Sequence, residues 1–424
     1  MINTLSFDAV SAATFGPHFR RPLPDSYSFA GLPALVRHVL TGNGPLGLPE
    51  DVLGDLPRRY DRVALILLDA FGWGYVERFM DRSPLLQQIG QYGVVSRLTS
   101  QFPSTTTAHV STLTYGQPVG QHGMYEWFLY EPLLDRLIVP LTYSYAEDET
   151  PNTLPLSPEQ LAPGATYFSQ LAAEGVRSVV ALNRSIFGVR SSQYAFAGVT
   201  PVPMTSLTHG LETMADIFNA SGGPMYGYLH HGEIDYVAHK QGPFSPLVLS
   251  EAELALQLVE QKFLRRLKRT GDGRTLVLIV ADHGQMTVTP ERTLYVNELI
   301  PALEGLMKRG ADGRVLVPAG SSRDMFLHVR PGSVEEVVGL LQSHPEIGGR
   351  AEVYTTRELA EAGLFGATSE AFWRRVGDVV VLPYDGQMIW WRDPAIPKQT
   401  QGFHGHHGGL SAQEMDIPLL ALAL

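Results

Sequence analysis

The chain has 424 residues, no cysteine, 14 histidines and a formal charge of −11, so it is long enough for a large core and has no thiol to place in a disulfide, a thiolate metal site or a nucleophile. Hydrophobic residues make up 44% and charged residues 18%, a globular and not a disordered composition. With 43 acidic against 32 basic residues it lacks the basic footprint of a protein that coats nucleic acid.

No apolar run reaches the ~18 residues that span a bilayer, and the N-terminus is broken by prolines and charges, so a cytoplasmic protein without a signal peptide is expected. Residues 1–60 read as a Gly- and Pro-rich lead-in with one helix over residues 33 to 40. RVALILLD, ending at Asp69, has the unbroken apolar character of a parallel strand buried on both faces. A strand over residues 94 to 100 leads through FPSTTT into a helix over 106 to 114. Thr166 caps the next helix, Gly175 ends it, and a strand follows over 177 to 182. A strand over 224 to 231 runs into the turn GEIDYVAHKQGP. Ser250 and Glu253 then form a capping box for a long helix with Ala252, Leu256, Val259, Phe263 and Leu267 on one face and Gly271 past its end. TLVLIVADH is a second fully apolar strand, ending in Asp282 and His283. This alternation predicts an α/β fold with a doubly wound, mostly parallel sheet and helices on both faces. The expected domains are the lead-in 1–60, a catalytic α/β domain made of 61–299 and 396–424, and an α+β insertion over 300–395 that caps it.

Ligands of open α/β sheets sit at the carboxyl ends of strands, and that is where the chain's chemistry collects. Asp69 ends one strand, Asp282 and His283 end another, and Asp235 and His239, spaced i, i+4, follow a third; His404, His406 and His407 cluster in a late loop. Singly, each is better read as a cap, a turn residue or a solvated loop histidine. Jointly, they offer enough oxygen and nitrogen donors for two divalent ions.

The ordered set of Asp69, FPSTTT with downstream GQPVGQHG, DYVAHKQGP, ADHG and terminal HGG resembles the alkaline phosphatase superfamily, and within it the nucleotide pyrophosphatase/phosphodiesterase branch. The resemblance covers roughly residues 60 to 290 and 400 to 424. It implies one ion on Asp235, His239 and His407, and a second on Asp69, Asp282, His283 and the nucleophile oxygen; zinc is the first choice of metal and manganese the second. Counted from Phe102-Pro103 and from Gly116 and His122-Gly123, the nucleophile falls on Thr106, with Thr105 and Thr107 as one-residue slips, and His404 or His406 could replace His407. A covalent phosphothreonine intermediate is implied with it. Where the branch carries a phosphate-binding asparagine, this chain has His109, which could donate to the same oxygen. Tyr125, Trp127, Phe128 and Tyr130 offer rings for a nucleobase or aryl group, against the alternative of core packing. Lys240 could meet phosphate charge, and His230, His231 and Glu233, which flank the ligand turn, could orient the imidazoles. The substrate implied is a small phosphate ester, a diester or pyrophosphate-linked nucleotide first, a monoester or phosphonate second. A sulfatase is excluded, because its nucleophile derives from cysteine or serine. A silent metal-binding regulatory protein is the competing class, and the completeness of the ligand and nucleophile set argues against it.

Overall fold

The computed structural model describes residues 1–267, 274–311, 313–316, 318–393 and 401–424. The apolar runs form strands β1 (Arg62–Leu68), β2 (Val94–Thr99), β3 (Arg177–Asn183), β4 (Thr200–Met204), β5 (Met225–His231) and β6 (Thr275–Val280). Four short strands follow, β7 (Ala319–Ser321), β8 (Asp324–Leu327), β9 (Ala351–Thr355) and β10 (Val379–Pro383), and the chain closes with β11 (Asp416–Ala423). The central sheet has seven strands in the order β2-β11-β6-β1-β5-β3-β4. Every strand except β11 runs in one direction, and β11 lies antiparallel between β2 and β6. This is the mostly parallel, helix-flanked sheet that the alternation predicted.

Residues 63–68 of β1 and all of β6 are buried because both faces of the sheet are covered. The lead-in contributes to the same core: Val10, Phe29, Leu35, Val36 and Val39 pack into the cluster that holds β1 and β6. Its helix α1 (Leu32–Thr41) ends on Gly42 in the left-handed region, one residue wider at each end than expected. Strands β7 to β10 form a separate antiparallel sheet in the order β7-β8-β10-β9. A second apolar cluster joins that sheet to residues from Phe102 to Leu161, so Tyr125, Leu129, Ile138 and Tyr143 share a core with Phe326 and Val380. Among the described residues no helix is long and apolar enough to cross a membrane.

Two local expectations change. GEIDYVAHKQGP is a helix and not a turn. Helix α2 (Thr106–Tyr115) precedes it in the chain, α3 (Tyr167–Ala173) carries the Thr166 cap as expected, and this segment forms α4 (Glu233–Gln241). Glu233 and Asp235 lie in the first turn of α4 and His239 and Lys240 in the last, each complementing the helix dipole, and Gly242 at φ 81° ends it. The long helix α5 (Pro246–Leu258) starts earlier than Ser250, because Ser245 accepts from the Val248 N–H with Pro246 in the first position. Ser250 lies inside, its hydroxyl donating to the Pro246 carbonyl. The chain continues through a π-helical turn over Val259–Leu264 that keeps Val259 and Phe263 buried. Gly271 lies outside the described residues.

Candidate metal centre and the adjoining pocket

Asp69, Asp235, Asp282 and His283 all leave the sheet at the carboxyl ends of β1, β5 and β6, which are neighbours in the parallel register. The backbone after Asp69 turns sharply: Ala70 takes φ 59°, and its N–H donates to Asp282 Oδ1 at 3.1 Å, beside the His283 N–H at 3.0 Å. Asp282 Oδ2 is left buried without a hydrogen-bond partner. The loops from β1 and β6 approach so closely that a Cβ on Gly72 would stand 2.7 Å from the Gly284 Cα.

Three histidines present themselves in the same way. His239 Nδ1 pairs with the Gly405 carbonyl at 2.8 Å, His407 Nδ1 with that of Ser104 at 3.0 Å, and His283 Nδ1 with that of Gly284 at 3.0 Å. A carbonyl can only accept, so each Nδ1 carries a proton, and in the neutral ring Nε2 keeps a free lone pair. Those Nε2 atoms face carboxylates at distances too long for hydrogen bonds: His239 to Asp235 at 3.4 Å, His407 to Asp235 at 3.7 Å, His283 to Asp282 at 3.5 Å and to Asp69 at 3.6 Å. Thr106 Oγ1 stands 3.2 Å from His283 Nε2 and 3.5 Å from Asp69 Oδ1. Donors on a tetrahedral ion with bonds of about 2.0–2.1 Å stand about 3.3–3.4 Å apart, so these separations suit atoms gathered around a common cation. Two donor sets emerge, Asp235 with His239 and His407, and Asp69 with His283, with Asp235 within reach of both. The orphaned Asp282 Oδ2 lies 3.5 Å from His283 Nε2.

Crowding also shifts the titration of these groups. Burial, followed by the charges of Asp282 and Asp235, raises Asp69 well above the usual carboxylate range. Asp235 lies well below that range: burial opposes its charge, but the imidazoles of His239, His407 and His283 outweigh it. His239 is raised, its burial overcome by Asp235. His407 is pushed down by burial and by His283, whose ring stacks on it at 3.8 Å, so it stays neutral and able to ligate.

Of the three adjacent threonines only Thr106 reaches this centre. Thr105 is the buried N-cap residue of α2, and Thr107 is buried with its hydroxyl unpartnered. Thr106, at the first helical position, is half-buried and lines a cavity of about 430 Å³ that also touches Asp69, Asp235 and His230. The cavity runs from the centre toward Trp127, Leu141, Tyr143, Ile186 and Phe196. Among the described residues that line it there is no lysine or arginine.

Other expected residues lie elsewhere. His109 is fully buried, with Nε2 on Ser100 Oγ and the Gln101 N–H and Nδ1 on the Thr105 carbonyl, so no ring nitrogen faces the cavity. Tyr125 is core, its ring against Phe326 and Phe372; of the four aromatics noted around it, Trp127 is the one on the cavity wall. Lys240 is exposed and sits over the Tyr236 ring, 3.9 Å from its centroid. His404 is exposed, whereas His406 is buried with Nδ1 turned to its own neighbour's backbone. His231 pairs with Glu251 at 3.7 Å, and Glu233 is exposed on α4. Two residues were not anticipated. Gln285 Nε2 donates to Asp235 Oδ1 at 2.5 Å and to its carbonyl at 3.2 Å. Ser104 holds the His407 ring through its carbonyl, and its hydroxyl donates to the Gly409 carbonyl at 2.7 Å. Adjacency to ADHG and to the threonine run was the signal available for each.

Residues 63–410 match the family model described as type I phosphodiesterase / nucleotide pyrophosphatase. The rat ectonucleotide pyrophosphatase/phosphodiesterase family member 3 is 24% identical over 268 residues, 61% of this chain and 29% of that longer protein. Murine ectonucleotide pyrophosphatase/phosphodiesterase 5, solved as an inactive form in complex with AMP, superposes with a TM-score of 0.61 at 18% identity, covering 85% of this chain and 88% of that one. Phosphonoacetate hydrolase from Sinorhizobium meliloti 1021, in complex with phosphonoformate, gives 0.59 at 16% identity, covering 86% and 90%.

Proposed function

The chain belongs to the type I phosphodiesterase / nucleotide pyrophosphatase family, and from that premise we propose that it hydrolyses phosphodiesters with two divalent ions, zinc by preference, and Thr106 as nucleophile. The observation that carries this reading is the position of Thr106 Oγ1 between His283 Nε2 and Asp69 Oδ1 at the mouth of the cavity. Asp69, Asp282 and His283 would hold one ion beside the hydroxyl; Asp235, His239 and His407 would hold the other and leave one position open. When bound, such ions supply Lewis acidity, lowering the pKa of a coordinated hydroxyl and neutralising phosphate charge. The Thr106 oxygen, its proton passing to solvent, would attack phosphorus, the ester oxygen on the far side would leave and take a proton from water, and water would later cleave the phosphothreonine. Backbone N–H groups at the start of α2 face the phosphate oxygens, a placement that favours an anion.

The cavity lining favours one kind of ester. Trp127, Leu141, Ile186 and Phe196 suit an uncharged organic substituent, nucleoside or aryl, and among the described lining residues there is no lysine or arginine for a second anionic group. That favours a diester over a phosphonate that carries a carboxylate. The test is metal-dependent hydrolysis of bis-p-nitrophenyl phosphate against p-nitrophenyl phosphate by the native chain, Thr106→Ala and Thr106→Ser. Expected are a diester preference, loss of turnover in Thr106→Ala and partial retention in Thr106→Ser. Full activity in Thr106→Ala would overturn the nucleophile, and a monoester preference would overturn the diesterase reading.

A further inference from the structure

His230 is set apart from the three histidines whose Nε2 lone pairs are free. It is the penultimate residue of β5, one before the His231 carbonyl that accepts the Asp69 N–H at 3.0 Å, so the parallel pairing of β5 with β1 places its ring beside Asp69. Its Nε2 lies 2.7 Å from Asp69 Oδ2, the length of a charge-assisted hydrogen bond and far shorter than the 3.4–3.7 Å at which His239, His283 and His407 face their carboxylates. The two Asp69 oxygens are thereby divided: Oδ2 is paired with His230 Nε2, while Oδ1 faces Thr106 Oγ1 at 3.5 Å and His283 Nε2 at 3.6 Å.

We propose that His230 is a positioning residue: its Nε2–H donates to Asp69 Oδ2 and fixes the carboxylate so that Oδ1 alone is presented to the ion beside Thr106. A nitrogen that carries the proton of this bond has no lone pair to give, so His230 is not itself a ligand. Without the bond, Asp69 is free to rotate about its side-chain torsions, and ordering it again costs affinity at this ion alone. The partners of ligands typically change metal affinity 10–100-fold when removed. The other ion, on Asp235, His239 and His407, has its own supports in Gln285 and in the Gly405 and Ser104 carbonyls, and is left unchanged.

This inference rests on the reading of Asp69 as a ligand, and the experiment separates the two. Metal-free full-length chain, checked for folding by circular dichroism, is titrated with zinc against a chromophoric chelator for the native protein, His230→Ala and His230→Gln, and each is loaded with cobalt for its visible spectrum. The native chain binds two ions; His230→Ala weakens one at least tenfold and leaves the other within twofold. His230→Gln, which keeps a donor, restores most of the loss, and the cobalt absorption per bound ion is the same in all three. Equal affinities in His230→Ala, or equal losses in the alanine and glutamine variants, would overturn the positioning role, as would a cobalt spectrum showing a lost nitrogen donor. Should His230→Ala not fold, His230→Gln against His230→Leu makes the same comparison. A native chain that binds no zinc would overturn the metal reading itself.

Discussion

Arg323 and Glu414 form an ion pair with both side chains fully excluded from solvent, and breaking it should destabilise the protein more than a typical core substitution. Arg323 Nε and Nη2 reach the two Glu414 oxygens at 3.0 and 2.8 Å, and Nη1 donates to the carbonyls of Tyr384 and Gln387. Glu414 in turn accepts the Gly409 and Ser411 N–H groups at 3.0 and 3.3 Å. Glu414→Ala strands a buried guanidinium and frees two loop amides, a cost of about 3–5 kcal/mol. At roughly 2.1 cal/mol/K per residue the unfolding entropy of a chain this long is on the order of 0.9 kcal/mol/K, so Tm should fall by about 3–6 °C. The double variant Arg323→Met with Glu414→Leu should lose less than Glu414→Ala alone, because neither charge is left unpaired. Thermal unfolding followed by circular dichroism, with a double-mutant cycle, measures this directly. The loop thus anchored carries His407, so the same variant should also bind one zinc ion more weakly. A Glu414→Ala protein within 1 °C of native, or a double variant worse than the single one, would refute the reasoning.

Glu126 is buried and its carboxyl is pushed up to about 8, burial outweighing the Trp127 N–H and the Thr105 hydroxyl that lower it. The folded chain therefore keeps a proton that the unfolded chain releases near 4.5, and this contribution to stability, full below that pH, is lost as pH rises toward 8. Glu126→Gln should flatten the fall of Tm across that window, and an unchanged pH profile would count against it. Trp127→Ala removes a wall of the cavity and should raise KM for an aryl diester about tenfold, equivalent to ~1.4 kcal/mol, without abolishing turnover; equal KM values would place the substituent elsewhere. Chelation should lower Tm: at a free zinc concentration of about 1,000 times Kd each site contributes roughly 4 kcal/mol, so two sites are worth on the order of 9 °C, and coincident melting curves with and without zinc would exclude tight binding.

Much of the fold was legible because buried parallel strands have a distinctive texture. RVALILL and TLVLIV are apolar on both faces, as a strand covered on both sides must be. Strand order was not legible, since the pairing of β5 with β1 and β3 joins residues more than 40 positions apart with no local mark. Helix α4 hid behind its polarity: Ile234 and Ala238 alone are buried in it, too few to print an apolar stripe, although the i, i+4 spacing of Asp235 and His239 was visible. The ligand set could be read because strand ends and histidine clusters are local features. The pocket could not be read in the same way. Tyr125 and Trp127 differ by two positions, and their fates are decided by Phe326 and Phe372 on one side and Ile186 and Phe196 on the other. His109 was likewise assigned by position along the chain, whereas its ring is turned inward by Ser100 and the Gln101 amide, donors and acceptors that a linear motif does not display.

The reversed strand β11 is what lets distant segments meet at one centre. In a parallel sheet the loops after the strands share one edge and the loops before them share the other, so a ligand preceding a parallel strand would sit at the wrong end. β11 runs antiparallel to β6, pairing Leu419 with Val280 and Ala423 with Leu276. The loop before β11 therefore lies on the edge where β6 releases Asp282 and His283, and the Gly284 N–H bonds the Glu414 carbonyl at 2.9 Å across that junction. His407 arrives there in the segment that leads to β11, stacked on His283 and facing Asp235. Gly408 at φ 120° completes the turn, in a space where a Cβ would stand 2.5 Å from both Asp324 Oδ1 and Ser321 Oγ. The hydroxyl of Ser321 donates to the His407 carbonyl at 3.1 Å, which ties the late loop to the strand β7 it passes. A single reversal of strand direction thus brings the last histidine to carboxylates set out by three earlier strands, and the buried Arg323–Glu414 pair holds that approach in place.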